Sequence, residues 1–375
     1  MHSRRQFTHL CASALGTAIA GSSRLSAASN GAIQKAMEAV RAAIPTAQAD
    51  PERPVYHFHP PAQWNNDPNG TIFYKGWHHL FYQHNPYDSV WGHMHWGHAR
   101  SRDLVDWEHL PIALAPSIDD GEDHVYSGGA ILGPGDKPML FYTSIGKREP
   151  EQWLAMPKDD DLLVWEKYAW NPILRMKQHR HTSVYEWRDP FLFRDGEHTY
   201  LVTGGNLNPR GGQASVQIYQ ASGPELTSWK HEGVLFRHPN KNPWNIECPN
   251  FFKLGEKWVL LISPHGPVEY FAGIFDPEQH HFFPETHGVL DPGKSYASNI
   301  SFDTKGRCIL WLWGRTETPA GKGWNNVMVM PRILTLGEDG HLRQNPAPEF
   351  EHLRTHERNM PAVSLDNQAK ALAAS

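Results

Sequence analysis

Cysteine is scarce in this chain, with three in 375 residues, at positions 11, 248 and 308. There is no CxxC pair and no Cys/His zinc pattern, so neither a disulfide framework nor a structural zinc site is indicated. Cys248 and Cys308 could pair or stay free, and spacing does not decide. Positive charge is not in excess either: 35 Lys and Arg against 40 Asp and Glu leave a formal net charge of −5. Nucleic acid and membrane surfaces call for a basic patch, and neither is expected as a partner. No segment offers the ~20 apolar residues that a bilayer crossing needs. Gly204-Gly205 and Gly211-Gly212 are too irregular for a phosphate loop, and there is no nucleophile elbow for a Ser-His-Asp hydrolase. Aromatic and turn residues are abundant instead: 15 Trp, 16 Phe, 12 Tyr, 31 Gly and 30 Pro. That mixture suits many short strands joined by turns around a substantial core.

Residues 1–27 read as an export signal and stand outside the fold. Ser3-Arg4-Arg5-Gln6-Phe7 is a twin-arginine pattern, followed by the apolar run Leu10 to Ala20 and the small-residue cleavage site Leu25-Ser26-Ala27. A twin-arginine pair is a receptor-read address rather than an anchor, so the expected location is periplasmic or extracellular. Residues 28–53 read as a helix or linker, with Ala, Ile, Met and Val at helical spacing between Gly31 and Asp50. Residues 54–354 carry the fold, and 355–375 form a tail.

From Pro54 onward the sequence repeats. Hairpin-like segments recur at Thr71–Tyr82, Ala130–Tyr142, Phe191–Val202, Phe251–Ile262 and Ser301–Trp313, each with a glycine in its turn. Those glycines, 76, 135, 196, 255 and 306, are spaced by 59, 61, 59 and 51 residues. A second signature keeps the same period: Leu104 to Trp107, Leu162 to Trp165 and Leu226 to Trp229 each set a Trp three residues after a Leu. Four-stranded propeller blades repeat at about 40–50 residues. Five slightly longer units predict an all-β, five-bladed β-propeller.

Three acids share a phase of this repeat. Asp67, Asp189 and Glu247 lie 9, 7 and 8 residues before their turn glycines. The inner strands of a propeller line its central channel, so near-equivalent positions converge at one mouth. The other two blades place Tyr126-Ser127 and Tyr296-Ala297 in that slot, where Tyr126, Ser127 and Tyr296 suit a polar ligand. Clustered carboxylates raise one another's pKa. That separates an ionised nucleophile from a protonated acid, the division a glycosidase needs.

Trp64–Gly70, Phe81–Pro86, Trp96–Leu104, Arg188-Asp189-Pro190 and Glu247-Cys248-Pro249 together resemble glycoside hydrolase family 32, the invertase, inulinase and levanase family. The resemblance runs from about Pro54 to Arg354. It implies retaining hydrolysis of β-fructofuranosyl bonds in sucrose or fructans, with no cofactor and no metal. Asp67 would be the nucleophile, Glu247 the acid/base and Asp189 the transition-state stabiliser. Asn66, Gln83, Trp91, Ser127, Arg188 and Trp313 would shape the sugar pocket. Retention implies carboxyls of Asp67 and Glu247 about 5–5.5 Å apart.

The chain departs from the family pattern in places. Asn65 stands where Met is usual, Asn250 where many members have Asp, and Lys294 at a position often held by an acid. The family's usual C-terminal β-sandwich is not expected, because residues beyond about Arg354 are few and polar. A fructosyltransferase using the same site and a non-catalytic carbohydrate-binding propeller are the alternatives. The run His93-Met94-His95-Trp96-Gly97-His98 could suggest a metal, but no fourth ligand is evident. Sequence does not report oligomeric state, linkage, or exo against endo cleavage.

Overall fold

The computed structural model describes residues 31–179 and 182–355. The twin-arginine pattern, the cleavage site and the tail beyond Thr355 lie outside the described residues. Residues 31–48 form the expected helix, which stops before Pro51. Beyond it the chain is strand and turn, laid out as sheets that succeed one another along the sequence. The first holds β1 (Gln63–Tyr74), β2 (Trp77–Asn85), β3 (His95–Ser101) and β4 (Trp107–Leu114). The second holds β5 (Glu122–Leu132), β6 (Pro138–Gly146), β7 (Glu151–Pro157) and the very short β8 (Trp165–Lys167). The third is β9 (Tyr185–Asp195), β10 (His198–Asn206), β11 (Ala214–Ala221) and β12 (Trp229–Arg237). The fourth is β13 (Glu247–Leu254), β14 (Lys257–Ser263), β15 (Val268–Asp276) and β16 (His281–Asp291). The fifth runs β17 (Ser295–Phe302), β18 (Cys308–Gly314), β21 (Arg332–Leu336) and β22 (Leu342–Pro346), with β20 (Val327–Met328) pairing β18; β19 (Trp324–Asn325), just before β20 in the chain, joins the first sheet beside β1.

The repeat seen in the sequence is the blade. Each of the five hairpins is the first strand pair of a sheet, and its turn glycine has φ between 54° and 80°. That left-handed conformation closes a tight hairpin and costs least at glycine. The Leu-to-Trp signature marks the approach to the outer strand. Leu104, Leu162 and Leu226 all have positive φ, and each accepts a hydrogen bond at its carbonyl from the indole of the Trp three residues on, at 3.0–3.2 Å. The side chain thus ties off the turn that its own backbone makes.

The inner strands β1, β5, β9, β13 and β17 touch in turn and β17 returns to β1, so the ring closes. Each sheet packs its faces on its neighbours. Phe141, Trp187, Leu201 and Trp229 fill the seam between the second and third blades, and Tyr82, Leu104 and Trp311 that between the fifth and first. Closure is a backbone event. β19 pairs in parallel with β1, Gln63 N–H donates to the Gly323 carbonyl at 2.7 Å, and Met328 N–H to the Phe58 carbonyl at 2.8 Å. Buried Trp324 donates its indole N–H to Asp50 at 2.9 Å, and Val40, Ala43 and Ile44 of the helix pack on the same spot.

One close approach governs how the third blade meets the fourth. A Cβ on Gly204 in β10 would sit 2.0 Å from the Ile246 carbonyl oxygen, just before Glu247. Gly204→Ala is therefore expected to push the start of β13 away and cost about 1–3 kcal/mol of stability. Thermal unfolding of the variant, read beside a control substitution at Gly223, where nothing lies within 4 Å, checks this.

Candidate active site

All five inner strands enter the mouth through a break in register. The breaks fall between Asn65 and Pro68, Val125 and Gly128, Arg188 and Phe191, Glu247 and Asn250, and Tyr296 and Ser298. A bulge re-aims side chains that a regular strand would point up and down the sheet faces. It also refines the equivalence of the three acids. Arg188, Glu247 and Tyr296 are the last paired residues before their breaks, whereas Asp189, Cys248 and Ala297 follow with φ of 61°, 46° and 48°. Asp67 and Ser127 lie one step further, inside the first and second breaks. The slot shared by the acids is three adjacent positions of one bulge; Asp67, the furthest along, is still 9 residues from its glycine because β1 is longer and carries a second break between Asn69 and Ile72.

These side chains surround a cavity of about 650 Å³, a size suited to a small ligand. Every site residue expected from the sequence lines it: Asn66, Asp67, Gln83, Trp91, Tyr126, Ser127, Arg188, Asp189, Glu247, Tyr296 and Trp313. His265, Arg315 and Glu317 join them without having been anticipated.

Asp67 is held by donors. Ser127 Oγ donates to Oδ2 at 2.6 Å and Asn66 Nδ2 to Oδ1 at 2.9 Å. Both donors are themselves fixed: Gln83 Nε2 reaches Ser127 Oγ at 3.1 Å, and the Trp64 indole reaches Asn66 Oδ1 at 2.7 Å. The Cys248 thiol lies 3.5 Å from Asp67 Oδ2 and 3.7 Å from Asp189 Oδ2, bridging two acids from different blades. Burial, then the charges of Asp189 and Asp67, push its pKa well up, so it stays a thiol. Cys248 and Cys308 are both free and buried. Asp189 sits on a backbone clamp: its N–H donates to Thr143 Oγ1 at 2.9 Å, and its Oδ2 accepts the Cys248 N–H at 2.9 Å. Glu247 takes a short hydrogen bond from the Arg188 guanidinium on one oxygen and faces the Tyr296 hydroxyl with the other. Arg188 also donates to Glu186, at 2.7 Å.

The carboxyls differ in proton affinity for physical reasons. Burial pushes Asp67 up, against the donors Ser127 and Asn66 that favour its charged form. Burial also pushes Asp189 up, to about 7, with Arg188 pulling down and the Glu247 and Asp67 charges adding to the rise. For Glu247 burial raises, but the Arg188 charge and the Tyr296 hydrogen bond outweigh it, leaving the group below its ordinary value. The separation expected from sequence exists, but its sense is reversed: Glu247 is the readily ionised acid. Arg188, from the neighbouring blade, causes the reversal.

Tyr296 adds a hydrogen-bond constraint. Its hydroxyl lies 3.0 Å from the Ser263 carbonyl and accepts the His265 N–H at 3.1 Å, while also touching Glu247. One hydroxyl proton cannot serve both the carbonyl and a carboxylate. With Glu247 ionised, Tyr296 donates to it. With Glu247 protonated, the acid donates and Tyr296 turns its proton to Ser263.

The rim is charged. Arg315 lays its guanidinium over the rings of Tyr296 and Trp313, 4.4 and 4.7 Å from their centroids. Lys294, where the family pattern often has an acid, pairs with Glu317 at 2.8 Å. The carboxylate at this edge is thus supplied by the segment after β18. Half-exposed Trp91 stands at the opposite rim beside His124 and Tyr126. Asn250 lies below the acids, in the channel with Asn69 and Ser298. The histidine run serves packing: the His95 ring bonds the His93 carbonyl at 2.5 Å, and His98 bonds His79 at 3.0 Å. Burial lowers His95 to about 3, keeping it neutral.

Fold and site together define a five-bladed propeller of the glycosyl hydrolase type, with its acids gathered at one mouth of the channel. Within that class the chain belongs to glycosyl hydrolases family 32, whose N-terminal domain model matches residues 57–346. It is 33% identical over 348 residues to a fructan 1-exohydrolase of Triticum urartu, covering 83% of this chain and 57% of that protein. Among solved structures, a β-fructofuranosidase of Bombyx mori in complex with sucrose superposes with a TM-score of 0.76 at 33% identity, covering 87% of this chain and 72% of that one. A fructan 1-exohydrolase of Cichorium intybus in complex with 1-kestose gives 0.73 at 30% identity, covering 80% and 62%. The chain spans little more than half the length of the curated relatives it matches.

Asp189 offers a direct readout of these electrostatics. Its folded pKa lies above 3.8, so its protonated form carries a stability share that is complete below pH 4 and lost as pH rises through about 7. The gap corresponds to roughly 4 kcal/mol. Asp189→Asn is expected to remove this dependence and to flatten the melting temperature between pH 4 and 8 relative to the parent.

Proposed function

We propose that the chain is a retaining glycosidase releasing fructose from β-fructofuranosides, sucrose or fructans. The observation that carries this reading is the pairing of a donor-held carboxylate, Asp67, with a carboxyl of switchable protonation, Glu247, across one sugar-sized cavity. The named activities of the relatives, fructan 1-exohydrolase and β-fructofuranosidase, support the same class.

In this reading an Asp67 oxygen attacks the anomeric carbon as the glycosidic C–O bond breaks, and the leaving oxygen takes the proton of Glu247. A water then attacks the fructosyl ester, giving its proton to Glu247 and restoring Asp67. Asp189 and Arg188 hold sugar hydroxyls, and the Asp189 carboxylate stabilises the positive charge that develops on the ring. Gln83 acts through Ser127, while Trp91, Tyr126 and Trp313 offer aromatic faces to the sugar.

The proton affinities bear on this scheme by their direction. Burial raises Asp67 and Asp189 while Arg188 lowers Glu247, and the three interact closely enough to titrate as a set. The reactive form needs Asp67 ionised and Glu247 protonated. Ser127 and Asn66 favour the reactive form at one end, and the Tyr296 rotation to Ser263 accommodates it at the other.

The test is fructose release from sucrose, 1-kestose, inulin and levan, with the first-formed anomer followed by NMR. Retention of configuration is expected, and Asp67→Ala and Glu247→Ala should each lower kcat by about a thousandfold or more. Binding without release by the parent protein would leave a carbohydrate-binding propeller instead. Dominant transfer products at high sucrose would mark a fructosyltransferase.

We also propose export through the twin-arginine pattern at Arg4 and Arg5. A reporter fused after residue 30 should reach the periplasm, and Arg4→Lys with Arg5→Lys should keep it in the cytoplasm. Unchanged export of the double variant would overturn this.

A further inference from the structure

A second concavity, of about 1450 Å³, runs along the flank of the second blade and shares no lining residue with the acid site. It exists because β8 is only three residues long, whereas the outer strands β4, β12 and β16 have 8, 9 and 11. Residues 168–174 cross back over β7 in place of a longer strand. Tyr168 N–H and Asn171 Nδ2 donate to the Leu154 carbonyl at 2.8 and 2.9 Å, and Leu154 N–H donates to Asn171 Oδ1 at 2.9 Å. Gln152 N–H meets the Leu174 carbonyl at 3.1 Å, and Ile173 N–H meets the Gln152 carbonyl at 3.0 Å.

These bonds have two consequences. The outward backbone groups of Gln152 and Leu154 are taken, so a partner strand cannot add to this edge. The turn carrying Trp170 is also pinned to β7 on both sides. Trp170 is 70% exposed, the most exposed aromatic side chain among the described residues. Its exposure belongs to a fixed platform rather than a loose loop, which lowers the ordering cost of any ligand that stacks on it. Fixed charges stand around it in the same groove: Arg148 and Arg175 both lie 3.4 Å from Glu151, and Lys158 pairs with Glu166 at 3.2 Å. Apolar side chains line the groove beside these charges, Ile118, Met156 and Val164 among them, so its surface is amphipathic. An open indole face among donors and acceptors suits a saccharide, whose C–H face covers the ring while its hydroxyls meet the charges.

We propose that this groove is a second saccharide-binding site that holds polymeric fructan outside the axial cavity. The polymer's identity rests on the fructosidase reading of the acid site; the groove itself does not. A second hold on one polymer raises its effective concentration at the first site. Trp170→Ala is therefore expected to lower kcat/KM on inulin or levan by about tenfold while leaving sucrose hydrolysis and thermal stability unchanged. Affinity electrophoresis in gels containing inulin or levan gives a readout independent of activity: the parent protein should be retarded and Trp170→Ala should not. Equal retardation of the two proteins, or an equal loss on sucrose and polymer, overturns the inference. So does a change in molecular mass in solution on substitution, which would assign the groove to a second copy of the chain. If the parent releases no fructose yet its retardation depends on Trp170, the glycosidase reading fails and the groove stands.

Discussion

Closure of the ring is the constraint on which the rest of the molecule depends. A four-stranded sheet rich in Val, Ile, Leu and aromatic residues has two faces to bury, and in this architecture only a neighbouring sheet can cover each. Left open between the fifth and first blades, the ring would expose Tyr82, Leu104 and Trp311, all nearly inaccessible in the closed form. β19 on β1, Trp324 on Asp50 and the helix behind them hold that seam. A polar tie crosses nearer the axis, where Thr71 donates to Asn299 at 2.7 Å and Asn299 reaches the Gly128 carbonyl at 3.2 Å. Three blades meet in that tie. The inner strands are thereby fixed relative to one another before any acid is considered.

The acids then exploit a conflict between closure and regular pairing. All five inner strands lose register at the mouth, and at three of them a non-glycine residue adopts positive φ. Such residues cost energy unless their surroundings hold them. Asp189 is held by Thr143, and Cys248 by its N–H bond to Asp189, so one strained residue secures the next. The result reaches across blades: Arg188 of the third meets Glu247 of the fourth, and Cys248 of the fourth meets Asp67 of the first. Proton affinities in this site are accordingly properties of the ring. No blade alone contains the partners that set them.

The architecture was readable in the sequence because it is periodic, and each periodic mark proved to be a local backbone event. The turn glycines and the Leu-to-Trp pairs are satisfied within a few residues of themselves, so they leave a trace at fixed spacing. The acids were readable for the same reason, since they follow the same repeat. The partners from outside the repeat were not. Thr143 sits mid-strand in β6, His265 in the loop after β14, and Arg315 and Glu317 after β18, and nothing in their local pattern shows that they reach the site. The lowered proton affinity of Glu247 was hidden likewise, because it depends on a guanidinium 59 residues away in sequence. The Pro-flanked run Ser263-Pro264-His265-Gly266-Pro267 was the one local hint of a structured loop.

That distinction bears on the departures at Asn65, Asn250 and Lys294. Asn65 and Asn250 are buried within inner strands, and Asn250 points below the acids, where it can alter the channel but not touch a sugar at the mouth. Lys294 stands at the rim and is matched by Glu317, so an ion pair occupies an edge where the family pattern often has a single acid. None of the three side chains hydrogen-bonds Ser127, Asn66, Thr143 or Tyr296, the groups that hold the carboxyls. The carboxyls sit on bulges locked by ring closure, whereas the rim draws on loops that closure leaves free. The departures therefore fall in two places, two buried asparagines in the inner strands and one lysine at the rim, and the acids keep the partners that hold them. Arg315 belongs to the same rim: its guanidinium lies over the rings of Tyr296 and Trp313, so a loop cation rather than a strand side chain covers the edge of the cavity beside Glu247.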